Sequence, residues 1–201
     1  MKELAPKAWL MQTANPVFEI TQIVKDKTQI NIVGFCHGSS GVNEIFRELN
    51  LDVNQVEWQV AGVNHGIWLN KFDYNGQNAY ELLDKWVKDK SHTWEPQDPW
   101  DVQLSPAAID MYKFYGMMPI GDTVRNGSWK YNYDLVTKKR WYGKFGGIDN
   151  EVERPKFHQS LRSARRRMIE LSKTIEKDPS IKLTEVWPEV FKKGEMSGEQ
   201  H

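Results

Sequence analysis

One short stretch limits the folds open to this chain. Ile30-Asn31-Ile32-Val33 is an apolar run that ends in Gly34-Phe35, and Cys36-His37-Gly38 follows at once. Apolar runs of this length bounded by glycine read as buried strands. Ahead of it, Ala8-Trp9-Leu10-Met11-Gln12-Thr13 reads as another strand. Between the two, Val17, Ile20 and Val24 recur at helical spacing, and Lys25-Asp26-Lys27 ends the helix. Proline at the first helical position with Asn15 before it is a helix start, which makes Asn15 the expected N-cap. Strand, helix, strand is one βαβ unit, right-handed and parallel. Two strands alone do not make a stable parallel sheet, since each needs cover on both faces. No Gly-x-Gly-x-x-Gly fingerprint occurs in the sequence. The expected fold class is therefore α/β, with this part resembling the second half of a doubly wound domain.

Open α/β sheets place their chemistry just past the carboxyl ends of such strands. A thiol and an imidazole at Cys36 and His37 suit a transition-metal site or a nucleophile with its base. A single cysteine behind an apolar strand is also an ordinary packed residue, and the residues alone leave both readings open. Lys+Arg 27 balances Asp+Glu 27, so no global field favours nucleic acid or anionic membrane. No apolar run approaches a membrane span, and the opening Met1-Lys2-Glu3-Leu4 does not begin a signal peptide. One cysteine excludes an internal disulfide and suits a reducing, cytoplasmic compartment. Nine Trp, seven Tyr and eight Phe suit a packed fold with a ring- or sugar-binding cleft.

Beyond the turn Gly38-Ser39-Ser40-Gly41, the residues Val42, Ile45, Phe46 and Leu49 line one helix face. Trp58–Val63 and Ile67–Phe72 alternate as antiparallel strands do, with Asn64-His65-Gly66 between them as a bulge or tight bend. Asn75-Gly76 is a turn signal, and Asn78 with Glu81 resembles a capping box. Ala79, Leu82, Leu83, Trp86 and Val87 form the expected buried stripe of the next helix. Ser91 to Leu104 is polar and bears prolines, and reads as a surface loop. Ser105-Pro106 opens a helix that carries Ile109, Tyr112, Met117 and Met118. Asp122 and Arg125 lie three apart beyond it, the spacing of a salt bridge and cap. Residues 142–152, with Gly143, Gly146 and Gly147, read as a flexible loop and candidate lid. Phe157, Leu161, Ala164, Met168, Leu171 and Ile175 form an amphipathic seam beside Arg165-Arg166-Arg167. Leu183–Val190 reads as a last short helix, and Lys192 to His201 as a polar end.

Four segments together resemble glycoside hydrolase family 4, the NAD- and metal-dependent glycosidases. They are Ala14-Asn15-Pro16, Gly34-Phe35-Cys36-His37-Gly38, Ala61-Gly62-Val63-Asn64-His65-Gly66 and Pro119-Ile120-Gly121-Asp122. Their order and separations match as well, and the closest likeness is to the α-glucosidase branch of thermophilic bacteria. The resemblance implies a lactate/malate dehydrogenase-like fold. Residues 1–52 would then be the last βαβ portion of a Rossmann-like NAD domain, and 53–201 an incomplete catalytic α+β domain. Cys36 and His65 match the family's divalent metal ligands, usually for manganese. Asn15 matches a substrate-contacting residue, and Asp122 stands where the family has its general base. His37 lies beside the leaving group, where many members carry Asp. Asp122 replaces the Tyr of the phospho-glycoside branches, and both departures imply an unphosphorylated α-hexoside. Arg125 is a further candidate for a sugar or cofactor contact.

The chemistry implied is not that of two carboxylates around an oxocarbenium ion, since this family is an exception to that scheme. NAD takes hydride from C3 of the sugar, which makes the C2 proton acidic. The metal polarises the C2 and C3 oxygens, Asp122 takes the C2 proton, and the C1 group leaves with His37 as candidate acid. The resemblance also implies a homo-oligomeric enzyme longer than this chain. Read so, the chain is an internal fragment that binds NAD poorly and is inactive alone. Two rival readings remain: a half of a 2-hydroxy-acid dehydrogenase, with no use for Cys36, and a non-catalytic assembly module docking through the 157–175 seam.

Overall fold

The computed structural model describes residues 5–182. It divides into two compact units, Met1–Glu95 with Val102–Lys130 and Pro96–Asp101 with Tyr131–His201. The expected helix at Leu183–Val190 and the polar end from Lys192 lie outside the described residues.

The first unit opens with β1 (Trp9–Gln12), α1 (Val17–Lys27) and β2 (Asn31–Gly34). β1 and β2 pair in parallel, from Trp9 opposite Asn31 to Gln12 opposite Gly34. The βαβ reading therefore holds, but the capping of α1 differs. Pro16 has extended backbone (φ −79°, ψ 121°) and is itself the N-cap, so Asn15 stands outside the helix rather than capping it. Gly34 is required for space: a Cβ there would lie 2.5 Å from Thr21 Oγ1 of α1.

A single 3-10 turn, His37–Ser40, leads into α2 (Gly41–Glu48), whose Val42, Ile45 and Phe46 are buried. Phe46 stacks on Phe72 at 5.7 Å and meets Trp58 edge-on at 6.2 Å. These rings tie α2 to an antiparallel sheet of β3 (Val56–Val63), β4 (Gly66–Tyr74), β5 (Gln77–Asn78) and β6 (Met118–Ile120). The β3–β4 register shifts between Gln59 and Val60, with Gln59 opposite Lys71 and Val60 opposite Leu69. Asn70 is the extra residue, and this bulge lets both Leu69 and Phe72 face the core despite their odd spacing. Asn75 and Gly76 form the expected two-residue turn, both with positive φ.

Several expectations need correction here. α3 (Tyr80–Asp89) starts after Ala79, and Asn78 Oδ1 accepts from Tyr80 N at 3.0 Å instead of completing a capping box with Glu81. Leu83 and Trp86 are buried, but Leu82 is 41% exposed, since apolar spacing alone does not supply a covering layer. The stretch expected to be a surface loop ends inside: Val102, Gln103 and Leu104 are buried. α4 (Pro106–Tyr115) opens as predicted, with Ser105 Oγ accepting from Ala108 N at 3.3 Å, and stops at Gly116 with φ 72°. Met118 is not helical. It begins β6, which pairs antiparallel to β4. Tyr80 fastens the two strands, its hydroxyl donating to Leu69 O and accepting from Met118 N at 3.1 Å. α5 (Asp122–Asn126) follows β6 after Gly121.

The second unit holds α6 (Leu135–Tyr142) and α7 (Glu153–Lys177). Asp134 caps α6, accepting from Thr137 N at 2.7 Å. The loop expected to be a lid is a packed turn with a polar centre. Asn150 is buried; its Nδ2 donates to the carbonyls of Phe145, Gly146 and Gly147, and its Oδ1 accepts from Val152 and Glu153. α7 realises the predicted seam as a helix, yet none of its residues is buried. No described helix is long and apolar enough to cross a membrane.

Candidate functional site

The site grows from three chain segments of the first unit. Cys36 follows the end of β2 and precedes the 3-10 turn into α2. His65 is the second residue of the loop Asn64-His65, which joins β3 to β4 between the paired Val63 and Gly66. Asp122 is the first residue of α5, directly beyond β6.

The ladder explains why His65 and Asp122 meet. Leu69 pairs with Met118, Trp68 with Pro119 and Ile67 with Ile120. The same register carried two residues further sets position 65 opposite position 122. His65 Nε2 lies 3.2 Å from Asp122 Oδ2. Thr123 closes the end of the ladder: its Oγ1 accepts from Ile67 N at 2.7 Å and donates to Ile67 O at 3.0 Å. Asp122 Oδ1 is paired with Arg125, one helical turn on, as the spacing predicted. Both side chains of that pair are mostly buried, whereas the His65 ring is 43% exposed.

Cys36 completes the group. Its Sγ lies 3.3 Å from His65 Nε2, although the residues stand far apart in the chain. The ring nitrogen thus has a sulfur on one side and a carboxylate oxygen on the other, but only one proton to offer. With that proton removed, Nε2 and a thiolate would present two lone pairs to one cation. Two ligands at bonds of about 2.0–2.3 Å to a single ion stand roughly 3–4 Å apart, so the observed separation fits. Among the described residues no group of three or more His, Cys, Asp and Glu is placed to hold a metal ion. With two such ligands, the remaining coordination positions of an ion would fall to water or a ligand.

Backbone strain marks the same places. His65 has φ 59°, a left-handed value uncommon outside glycine but enriched for histidine. Non-glycine residues held there cluster at functional sites. Gly121 has φ 58°, and a Cβ on it would lie 2.1 Å from Gly38 O. The turn bearing Asp122 therefore touches the backbone just after Cys36 and His37.

The other candidates stand less close. His37 is exposed at the start of the 3-10 turn, and among the described residues no hydrogen bond or ion pair joins it to Asp122. Asn15 is exposed between β1 and α1. Two features escaped the sequence reading. β6 is a three-residue strand, too short for any periodicity, and Gln103 sits in a stretch whose polarity suggested solvent. A run of Met118-Pro119-Ile120 between two glycines was the one available signal for β6.

The profile of the family 4 glycosyl hydrolases matches residues 1–51, and that of their C-terminal domain matches residues 60–201. An α-galactosidase of Bacillus subtilis is 29% identical over 94 residues, covering 46% of this chain and 22% of the relative. An α-galacturonidase of Lachnoclostridium phytofermentans is 26% identical over 98 residues, covering 44% of this chain and 21% of that one. The chain spans less than a quarter of the length of these two relatives. Among solved structures, a B. subtilis protein with a provisional glucosidase name, LplD, aligns with TM-score 0.57 and 19% identity, over 82% of this chain and 41% of its own. A 6-phospho-α-glucosidase from gut microorganisms, solved with NAD and glucose-6-phosphate, aligns with TM-score 0.52 and 16% identity, over 90% and 40%. At these identities the structural likeness speaks for a shared fold, one with a Rossmann-like part.

Proposed function

The chain belongs to family 4 of the glycosyl hydrolases, and from that premise we propose that it carries the metal and base part of an NAD- and divalent metal-dependent α-glycosidase acting on α-glucosides. The observation that carries this reading is Cys36 Sγ 3.3 Å from His65 Nε2, with Asp122 3.2 Å beyond. The names of the α-galactosidase and α-galacturonidase relatives support an α-hexoside as substrate class.

Cys36 and His65 would hold the metal, manganese being the proposed ion, which when bound supplies Lewis-acid polarisation of neighbouring sugar oxygens. NAD supplies a reversible hydride acceptor for the sugar's C3. The chain's own residues do the rest. Asp122 receives the C2 proton once C3 is a ketone. Arg125 occupies its Oδ1 and leaves Oδ2 on the side of His65. As the C1–O bond breaks, a C1=C2 double bond forms in conjugation with the ketone, and His37 gives the leaving oxygen its proton. Asn15, exposed at the end of β1, offers a side-chain amide to sugar hydroxyls. A thiolate ligand must stay reduced, and that, with a single cysteine in the sequence, supports a cytoplasmic setting.

An aryl 3-keto-α-glucoside tests the proposal without hydride transfer. With Mn2+ and a reductant, the chain is expected to release the aglycone and to take deuterium from D2O at C2. Cys36→Ser and Asp122→Asn should each remove both. If the metal-loaded chain leaves the ketone sugar untouched, the reading fails. The unoxidised aryl α-glucoside with NAD and Mn2+ is expected to give no turnover by these 201 residues alone, which contain no Gly-x-Gly-x-x-Gly.

A further inference from the structure

Gln103 is a polar residue only 2% exposed, and both ends of its amide are used. Its Nε2 donates to Pro119 O at 2.7 Å, and its Oε1 accepts from Gly121 N at 2.8 Å. These two backbone groups lie two residues apart on β6 and the turn after it. Successive residues of a strand turn their backbone groups to opposite edges, so a carbonyl and an N–H at this spacing share one edge. Pro119 has no N–H, hence the edge at its position needs an acceptor's partner only. A single primary amide fits that edge as a neighbouring strand would.

The amide also touches the arm that carries Cys36. A Cβ on Gly41, the first residue of α2, would lie 2.1 Å from Gln103 Oε1 and 2.9 Å from Gly121 N. Gly41 has ordinary helical angles, so glycine is needed there for room and not for φ. The start of α2 is thus laid directly on the Gln103–Gly121 hydrogen bond. β4 fixes β6 from its other edge, through Ile67, Trp68 and Leu69. Beyond Ile120 that ladder stops. From there, Thr123 and Gln103 hold the turn that aims Asp122.

We propose that Gln103 is a positioning residue: its buried amide sets where Asp122 stands between His65 and the Cys36 turn. This rests on the reading of Asp122 as the base, and the tests are chosen to separate the two. Gln103→Leu keeps the volume and removes both hydrogen bonds. In the metal-free chain, hydrogen exchange at the Gly121 amide should quicken about tenfold or more, while the Ile67 amide, held by Thr123, stays as protected as before. With the 3-keto sugar and Mn2+, kcat should fall about tenfold or more at unchanged KM, as expected for a small misplacement of a reacting group. Gln103→Glu, which keeps the acceptor for Gly121 N, should retain more activity than Gln103→Leu.

Unchanged exchange at Gly121, or equal loosening at Ile67, overturns the proposal. So does full kcat in Gln103→Leu when Asp122→Asn is inactive. Failure of both Gln103 variants to fold also counts against it, in favour of a purely structural amide. If the unaltered chain does not act on the ketone sugar, the base reading falls, and the exchange measurement alone decides whether Gln103 holds the turn.

Discussion

α1 and α2 each follow a strand-like segment and each has a regular apolar spacing, yet their surroundings differ. α1 buries none of its residues, and around it Trp9, Met11, Phe18 and Ile23 are all at least 60% exposed. α2 buries Val42, Ile45 and Phe46 almost completely, against a sheet that is itself covered by α4. The lesson is that helix periodicity establishes an apolar face but not its burial. Burial depends on whether a second layer lies within reach. Cys36 stands at the junction, taken from the open βαβ unit, while His65 and Asp122 are fixed by the packed sheet.

The largest effect that would sharpen this contrast is expected at Gly121. Alanine there meets both a left-handed φ of 58° and the Gly38 carbonyl at 2.1 Å. Together these should cost on the order of 4 kcal/mol, read from urea denaturation. Wild-type stability in Gly121→Ala would show the packed half to be softer than its geometry. Next comes a matched pair of truncations. Leu69→Ala, at 0% exposure, should destabilise by about 3 kcal/mol, whereas Ile23→Ala, at 60% exposure, should stay within about 0.5 kcal/mol. Equal losses would break the comparison.

The smallest effect is alkaline. Burial first, and then its hydrogen bond to Asp84, pushes the Tyr112 hydroxyl above the ordinary tyrosine range. The folded state keeps a proton that the unfolded chain gives up. Stability should therefore be complete below about pH 10 and decline as pH rises beyond it. Tyr80, stacked on Tyr112 at 5.6 Å, is shifted the same way by burial. The open βαβ unit contains no tyrosine, so the loosening should begin in the packed half. Near-UV circular dichroism against pH tests this, with a later onset expected in Tyr112→Phe.

Much of this was legible in the residues. The Gly-Phe ending of β2, the Asn64-His65 bend, Ser105-Pro106 and the Asp122–Arg125 spacing each have a local physical cause, and each appears where the chain predicts it. What escaped was non-local. β6 exists because β4 offers it an edge, and three residues carry no period of their own. Gln103 is buried because two backbone groups need partners, a demand that polarity counts cannot register. The loop at 142–152 differs from its expectation for a related reason: its glycines suggest mobility, but glycine's conformational freedom serves here to make the tight turns around Asn150. Leu82 and the α7 seam show the opposite error, apolar spacing without a covering layer.

The β4–β6 pairing has an engineering consequence. Because two hydrogen-bonded strands measure out the distance between His65 and Asp122, the tip of the Asn75-Gly76 turn does not. An insertion at the exposed Asn75-Gly76 turn, where Gly76 has open space around it, should leave the spacing between imidazole and carboxylate intact. Deleting His65 from the bend before β4 would instead bring Asn64 opposite the carboxylate. Length is thus a free variable at this exposed turn and a forbidden one at the bend that carries His65, a pattern that cobalt binding across an insertion series would map directly.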